Sequence, residues 1–127
     1  MELKHLEPNH TDERGEIRDI LADVEVDAVT YLTSRAGAIR GNHYHEQTDQ
    51  WDYVLSGSFE CYTRAGFDGE KKMTITTAGD LVYHPAGEHH ALKAIQDSTM
   101  LSLTKGPRRG TAYEKDVVRL KDGEKLA

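Results

Sequence analysis

The stretch GAIRGNHYHEQTDQWDYVLSG, residues 37–57, combines two histidines, several acids and amides, and three glycines in one short segment. His43 and His45 are separated by one residue, and alternate residues of a β-strand point to the same face of a sheet. Both imidazoles therefore leave the same face if this segment is a strand. The segment predicts a β fold in which the histidine pair lines an interior, and it raises the question of what the pair holds.

The residues after the histidine pair extend this pattern into a second strand. A turn at residues 46–49 would bring the next strand back alongside the first, beginning at Gln50. If Gln50 faces the histidines, strand alternation directs Asp52 to the same side. A carboxylate inside a β fold is costly unless it has a partner or a task, so Asp52 is a candidate functional residue.

The rest of the chain shows the same period-two alternation of apolar and polar residues. Segments rich in β-branched and aromatic residues lie at 26–34, 51–66, 71–80, 80–87, 90–95 and 98–106. Glycines punctuate them about every ten residues, which is typical of a β-sandwich or barrel. The sequence predicts an all-β single domain over 1–127. Its barrel core spans about 26–106, between an N-terminal strand region, 1–25, and a charged tail, 107–127, that forms a short helix or an edge strand.

Charge and composition narrow the class of partner. The chain has 127 residues, with 16 basic and 22 acidic side chains and a formal net charge of -6. Nucleic acids and membrane surfaces are anionic, so we expect neither as a partner. A single cysteine, Cys61, excludes an internal disulfide and suits a reducing compartment. The N-terminal residues lack the apolar core of a secretory signal, and we expect a cytoplasmic location.

A second histidine group lies in HPAGEHH, residues 84–90. A histidine-rich turn on the surface is the simplest interpretation of one such group taken alone. Two groups, each on a predicted strand, instead favour a common site. Three neutral imidazoles with one oxygen ligand suit a divalent transition metal such as Zn, Fe, Mn, Co or Ni.

These two histidine groups resemble the paired motifs of the cupin superfamily. Gly37, His43, His45, Gln50 and Gly57 match the spacing of its first motif, in which glutamate usually stands at the position of Gln50. The second motif is matched by Gly79, Pro85, Gly87 and His90, with Ala94 in place of the usual asparagine. The resemblance implies a jelly-roll β-barrel. It also implies a metal held by His43, His45, Gln50 and His90.

Shorter stretches narrow the resemblance to cupins that act on sugar nucleotides. HTDERGEIRDI, residues 10–20, is similar to the opening of the 3,5-epimerases and 3,4-ketoisomerases of nucleotide-linked deoxysugars. IRGNHYH, residues 39–45, resembles their active-site segment and, more closely, the cupin domain of capsular polysaccharide reductase-epimerases. YEKDVVRL, residues 113–120, is more loosely similar to the ketoisomerase tail. The resemblance implies an isomerase or epimerase acting on a keto-deoxysugar linked to dTDP or UDP, in polysaccharide or glycoside biosynthesis.

That chemistry needs a base, an enolate stabiliser and cations for the diphosphate. Without a metal, His43 paired with an acid such as Asp52 is the natural base. With a metal bound, the base is sought elsewhere, and the candidates are Asp52, Tyr83, His84 and His89. Arg14 and Arg40 are the first candidates to bind the diphosphate of the nucleotide through their guanidinium groups, and Arg108 and Arg109 are further candidates. Arg40 is also a candidate catalytic residue.

Two other classes of protein remain open from the sequence. One is a metal-dependent cupin of another class, such as a small-molecule dioxygenase or a simple-sugar isomerase, which the full three-histidine set favours. The other is a non-enzymatic cupin that binds a small ligand. Under each alternative we expect a homodimer, because small cupins usually pair.

Overall fold

The computed structural model describes residues 1–127 and consists almost entirely of β-strands. The strands are β1 Glu2–His5, β2 His10–Asp12, β3 Gly15–Ile17, β4 Ala28–Ser34, β5 Ile39–His45, β6 Asp49–Ser56, β7 Ser58–Arg64, β8 Lys72–Thr77, β9 Asp80–His84, β10 His89–Ala94, β11 Ser98–Lys105 and β12 Val117–Arg119. One helix, α1 Gly110–Asp116, and a 3₁₀ turn, Asp122–Glu124, follow β11. The predicted all-β class is confirmed.

The strands form two five-stranded antiparallel sheets that face each other as a jelly roll. The first sheet has the order β1-β9-β6-β11-β4, and the second has the order β12-β5-β10-β7-β8. A separate hairpin, β2-β3, precedes them. Inward side chains from both sheets meet in one apolar cluster: Val54, Phe59, Cys61, Val82, Leu92, Ala94 and Met100. This packing of one sheet on the other is what holds the domain together.

The strands β5 and β6 do not form the hairpin that the sequence predicts. β5 lies in the second sheet between β12 and β10, whereas β6 lies in the first sheet between β9 and β11. The turn between them therefore crosses from one sheet to the other. Each strand finds its partners among strands distant in sequence, as in β10 with β5 and β11 with β6. As a result, Gln50 faces the histidine pair from the opposite sheet.

The segment 51–66 is divided by a tight turn at Gly57, which separates β6 from β7. Gly57 has a φ of 84°, in the left-handed region that side chains with a Cβ rarely adopt. A Cβ added here would lie 2.1 Å from the hydroxyl oxygen of Ser98. Glycine is therefore required at this position both by the backbone conformation and by the close approach of Ser98.

Both segments that flank the predicted barrel core add an edge strand to it. β1 pairs with β9 at the edge of the first sheet, and β12 pairs with β5 at the edge of the second. The tail contains both a short helix and a strand, where the sequence predicts one or the other. Its residues Leu120 and Leu126 pack with Ala91 on the outer face of the second sheet. The tail is thus tied to the strands that carry the histidines.

The interior has an apolar half and a polar half. Cys61 belongs to the apolar half, where burial raises the pKa of its thiol to about 12. The polar half holds buried histidines and acids, including His84, His90 and Asp52. No helix in the structure is long and apolar enough to cross a membrane. The polar half is where a functional site must be sought, since buried charged groups are retained at a cost.

Candidate functional site

A cavity of about 250 Å³ opens into the polar half of the jelly roll. Its lining comes from both sheets and from the segment that follows β11. The polar lining residues are Arg40, His43, His45, Thr48, Gln50, His90, Ser102, Thr104, Arg108 and Tyr113. Imidazoles, guanidiniums, an amide and a phenol therefore converge on one pocket, which is the usual composition of a small-molecule site.

Three imidazoles meet at the floor of this pocket. His43 on β5 and His90 on β10 are paired in register, and their ring centroids are 4.7 Å apart. His45 follows on the same face of β5, with its ring centroid 4.8 Å from that of His43. One nitrogen atom from each ring lies within 4.8 Å of the others. The structure thus brings together the three histidines that the sequence assigns to one centre.

The electrostatics keep these imidazoles neutral. Burial lowers the pKa of His43 to about 4, helped by the neighbouring charges of His45 and Arg119. Burial also lowers the pKa of His45, and it lowers that of His90 well below the ordinary range. A neutral imidazole keeps a lone pair for a metal or a proton. All three rings are therefore in the form that a ligand or a base requires at neutral pH.

His90 carries a buried atom without a partner. Its Nδ1 lies 3.2 Å from the backbone carbonyl of Glu88, which fixes the proton on that nitrogen. Its Nε2 is buried and has no hydrogen-bond partner in the protein. An orphaned buried polar atom costs about 1–3 kcal/mol. A divalent metal ion at the cluster would satisfy it, so the donor set fits such an ion.

Asp116, at the end of α1, contacts His45 from behind. Its Oδ2 lies 3.3 Å from Nδ1 of His45. The hydroxyl of Thr48 donates to Asp116 at 2.5 Å, and the backbone N–H of Gln47 donates at 2.7 Å. Asp116 is not among the site residues that the sequence predicts, although the likeness of residues 113–120 to an acid-bearing tail was the available signal.

Gln50 and Asp52 form a pair at the wall of the pocket that β6 provides. The side-chain amide nitrogen of Gln50 donates to both carboxylate oxygens of Asp52, at 3.0 and 3.1 Å. Asp52 is only 3% exposed and lies one layer deeper than Gln50. The predicted pairing of Asp52 with His43 is not formed. The acid beside the histidine pair is Asp116 instead.

His84 belongs to a second layer beneath the pocket. Its ring stacks on that of His90 with the centroids 4.6 Å apart, and its Nδ1 lies 2.8 Å from Oε1 of Glu88. Its Nε2 is 3.7 Å from Oδ2 of Asp52. Burial opposes ionisation of Glu88, yet the hydrogen bond with His84 and the Met1 amino group lower its pKa. His84 thus supports His90 without lining the cavity, and Glu88 is a further buried acid that sequence analysis missed.

Two of the predicted candidate bases lie outside the pocket. Tyr83 is on the outer face of β9, where its ring stacks on Trp51 at 5.0 Å and its hydroxyl donates to Asp49 at 3.2 Å. His89 is on the outer face of β10, stacked on Tyr44 at 4.6 Å. The reason is strand alternation, because each is adjacent in sequence to a histidine that points inward. The assignment of Tyr83 to the catalytic set is therefore corrected.

The candidate arginines differ in whether they line the pocket. Arg14 lies in the β2-β3 hairpin with its side chain 80% exposed and paired with Asp12 at 2.6 Å, so it does not line the pocket. Arg40 does line it, and its Nε donates to the hydroxyl of Ser34 at 3.0 Å. Arg108 lines it as well, with its guanidinium 5.4 Å from the ring centroid of Tyr113. The predicted nucleotide-binding role of Arg14 is thus not supported by its position.

The sequence matches one protein family over most of its length and parts of longer known proteins. The family described as Polysaccharide biosynthesis C-terminal domain matches residues 10–105. An oxalate decarboxylase of Arthroderma benhamiae is 34% identical over 70 residues, which are 55% of this chain and 16% of that protein. Oxalate decarboxylase OxdC of Bacillus subtilis is 32% identical over 76 residues, or 60% of this chain and 20% of that protein. The match covers a fifth or less of those longer proteins.

Solved structures with the same fold include several sugar-nucleotide enzymes. A 3,4-ketoisomerase from Helicobacter canadensis gives a TM-score of 0.79 at 17% identity, covering 98% of this chain and 93% of the other. QdtA, a sugar 3,4-ketoisomerase from Thermoanaerobacterium thermosaccharolyticum in complex with TDP, gives 0.77 at 20% identity, covering 97% and 90%. A dTDP-4-dehydrorhamnose 3,5-epimerase from Sulfolobus tokodaii gives 0.75 at 15%, covering 91% and 74%. These likenesses confirm the predicted jelly-roll fold.

Proposed function

This chain belongs to the polysaccharide biosynthesis C-terminal domain family, and we propose that it is an isomerase or epimerase of a nucleotide-activated keto-deoxysugar. The observation that carries the proposal is the pocket itself, in which neutral imidazoles at the floor face arginines and a tyrosine. The similar fold of a ketoisomerase in complex with TDP supports a dTDP- or UDP-linked substrate.

Isomerisation of a keto sugar begins with removal of the proton next to the carbonyl group. This step needs a proton acceptor and a group that stabilises the enolate oxygen. Tyr113 lines the pocket with its ring centroid 6.1 Å from that of His45, so a sugar bound in the pocket beside these two rings would contact both. We assign to Tyr113 the donation of a proton to the developing enolate oxygen, because a phenol O–H donates. Where no metal is bound, His43 is the proton acceptor. Tyr83 and His89 face outward, and His84 and Asp52 lie beneath the lining.

The histidine cluster is the proposed metal centre. His43, His45 and His90 would hold a divalent transition metal through nitrogen, with Gln50 as the oxygen ligand. The neutral state of the rings and the unpartnered Nε2 of His90 support this assignment. When bound, such an ion supplies Lewis-acid polarisation of a carbonyl oxygen. Elemental analysis of the purified protein would identify which of Zn, Fe, Mn, Co and Ni is bound.

Arg40 and Arg108 are the proposed contacts for the diphosphate of the nucleotide. The Nε of Arg40 is held by Ser34, and one terminal nitrogen donates to the carbonyl of Thr33 at 2.8 Å. These bonds fix the position of a side chain that lines the pocket. Arginine suits phosphate groups because its planar donors bind two oxygens at once.

The proposal is tested by thermal denaturation with dTDP and with UDP at millimolar concentration. A ligand that binds only the folded protein raises its melting temperature by mass action. We expect an increase with at least one nucleotide, and a smaller increase for Arg108→Gln. Arg109→Gln is the matched control, since Arg109 does not line the cavity. Melting curves unchanged by either nucleotide would remove the sugar-nucleotide proposal.

The second candidate function is that of a metal-dependent cupin of another class. The identity to two oxalate decarboxylases over 70 and 76 residues favours it. Such a protein would bind metal at the three histidines and would show no response to nucleotides. Metal analysis together with the nucleotide melting experiment separates the two functions.

A further inference from the structure

The hydrogen bonds between Gln50 and Asp52 determine which atom of the Gln50 amide faces the histidines. The amide nitrogen of Gln50 donates to both oxygens of Asp52, at 3.0 and 3.1 Å. An amide has one donor end and one acceptor end, and a carboxylate accepts only from the donor end. With its nitrogen committed to Asp52, Gln50 has its oxygen free for the pocket that it lines.

The carboxylate of Asp52 likewise has the Gln50 amide as its hydrogen-bond partner. The carboxylate is 3% exposed, and its hydrogen-bond donor in the protein is the Gln50 amide. His84 approaches it with Nε2 at 3.7 Å, beyond hydrogen-bond distance. A buried carboxylate with one amide partner is held firmly, because losing that bond would leave its charge uncompensated.

We propose that Asp52 is a positioning residue that fixes the Gln50 amide so that its side-chain oxygen is presented to His43, His45 and His90. The carboxylate charge then lies one layer behind the ligand rather than in the ligand itself. The neutral amide oxygen of Gln50 faces the three histidines, and the negative charge of Asp52 behind it offsets the positive charge of a bound metal ion. The consequence for a metal rests on the proposed metal centre, but the orientation of the amide does not.

The orientation is tested in metal-free protein by NMR of the side-chain amide of Gln50, assigned by its loss in Gln50→Glu. In the native protein we expect slow exchange of these amide protons with water, since a buried carboxylate holds them. In Asp52→Asn we expect faster exchange and a changed chemical shift. The amide of Gln96, which donates to the hydroxyl of Ser58 at 3.0 Å, is the internal reference and should not change.

Metal binding is tested in variants that exchange the amide and the carboxylate between positions 50 and 52. Asp52→Asn should weaken binding of Co²⁺ about 10–100-fold, as for other residues that orient a ligand, and should alter the visible Co²⁺ spectrum. Gln50→Glu alone places two carboxylates together and should lower stability. The double variant Gln50→Glu/Asp52→Asn restores an amide–carboxylate pair with the charge now facing the centre, and should recover the Co²⁺ affinity. Asp49→Asn, on the same strand but facing Tyr83, is the matched control.

The possible results distinguish a failure of the Asp52 positioning role from a failure of the proposed metal centre. Native-like amide exchange and an unchanged Co²⁺ affinity in Asp52→Asn would overturn the inference. If the native protein binds no Co²⁺ or Zn²⁺, the metal centre fails and the NMR arm alone decides the positioning role of Asp52. If Asp52→Asn does not fold, failure of the double variant to recover Co²⁺ affinity is the contrary result.

Discussion

The carboxylate of Asp116 lies 3.3 Å from Nδ1 of His45, and this contact joins the C-terminal tail to the histidine cluster. Asp116 is itself held by the hydroxyl of Thr48 at 2.5 Å and is 4% exposed, so its position is well defined. A carboxylate at Nδ1 favours the proton on that nitrogen and leaves the lone pair on Nε2. The tail therefore places a negative charge beside Nδ1 of His45, which favours the tautomer whose Nε2 can act as a ligand or a base.

Asp116→Asn should lower the affinity of the histidine cluster for Zn²⁺ by about 10–100-fold, because the orientation and basicity of His45 depend on this carboxylate. Competition with a chromophoric chelator measures the affinity. Glu114→Gln is a suitable control, since Glu114 lies on the same helix but pairs with Arg119 at the surface. Equal Zn²⁺ affinity in Asp116→Asn and the native protein would contradict this role.

Tyr113→Phe should reduce turnover of a nucleotide-linked keto sugar while leaving metal and nucleotide binding intact. Removal of a proton-transfer group costs about 10²–10⁴ in rate. The rate is measured from exchange of the sugar proton next to the carbonyl group in D₂O. Tyr83→Phe provides the comparison, as Tyr83 faces outward and contacts Asp49. A variant Tyr113→Phe with native exchange rates would show that another residue moves the proton.

The histidine centre was predictable from sequence because its determinants are local. The spacing of His43 and His45 places both on one face of a strand, and the resemblance to the second cupin motif implies His90 as the third ligand. Strand alternation is a property of the backbone and holds in any sheet. The same rule, applied from His84 and His90, would also have placed Tyr83 and His89 outside.

The partners of the histidines were not predictable, because they depend on which sheet each strand joins. The predicted hairpin of β5 with β6 would have brought Asp52 beside His43. In the structure β6 crosses to the opposite sheet, which carries Asp52 away from His43 and leaves it bonded to Gln50 of its own strand. Asp116 reaches His45 only because β12 pairs with β5 at the sheet edge. Long-range pairing of this kind leaves no periodic signal in one sequence.

Metal-free protein should lose stability as the pH falls from about 6.5 to about 4, the interval between the unfolded and folded pKa values of His43. Its folded pKa is depressed, so the unfolded chain binds more protons in this interval and stability rises with pH. Below about pH 4 both states are protonated and this contribution levels off. Urea denaturation in the presence of a chelator measures the effect across the interval.

His43→Gln is the comparison for the pH experiment, because it removes the imidazole and keeps a polar side chain of similar length. The slope of stability against pH between about 4 and 6.5 should be smaller in this variant. Carboxylates that titrate near pH 4 contribute to both proteins alike, so the difference reports His43 together with its coupling to His45 and His90. Parallel slopes in the two proteins would argue against a buried neutral imidazole at this position.

The outer face of the first sheet is the expected surface for the predicted homodimer. Val29 and Tyr31 on β4 are each 61% exposed and are paired in register with Leu103 and Leu101 of β11. Exposed apolar patches on a sheet face are typical of association sites. Light scattering should give about twice the 14.3 kDa chain mass, and Val29→Glu/Tyr31→Glu should give a monomer.

The control for the dimer experiment comes from the other sheet. Met73 and Ile75 on β8 are 50% and 48% exposed, and Met73→Glu/Ile75→Glu should leave the dimer intact. A native protein that elutes as a 14.3 kDa species at dilute concentration would contradict the dimer. Dissociation by the β8 substitutions instead would assign the interface to the second sheet.

Gly41 and Gly37 offer a matched pair for testing how closely β5 packs against the strand of His90. Both have a left-handed backbone, with φ values of 87° and 86°. A Cβ on Gly41 would lie 2.8 Å from the carbonyl oxygen of His90, whereas a Cβ on Gly37 would meet nothing within 4 Å. Gly37→Ala should therefore cost about 1–2 kcal/mol from the backbone conformation alone.

Gly41→Ala should cost that amount and about 1–3 kcal/mol more, because the clash is with backbone that cannot rotate away. The displaced carbonyl belongs to His90, so this variant should also bind Zn²⁺ more weakly than Gly37→Ala does. Urea denaturation gives the free energies of unfolding, and chelator competition gives the affinities. Equal stabilities and equal Zn²⁺ affinities in the two variants would mean that β5 and β10 separate readily, and that their register does not position His43 against His90.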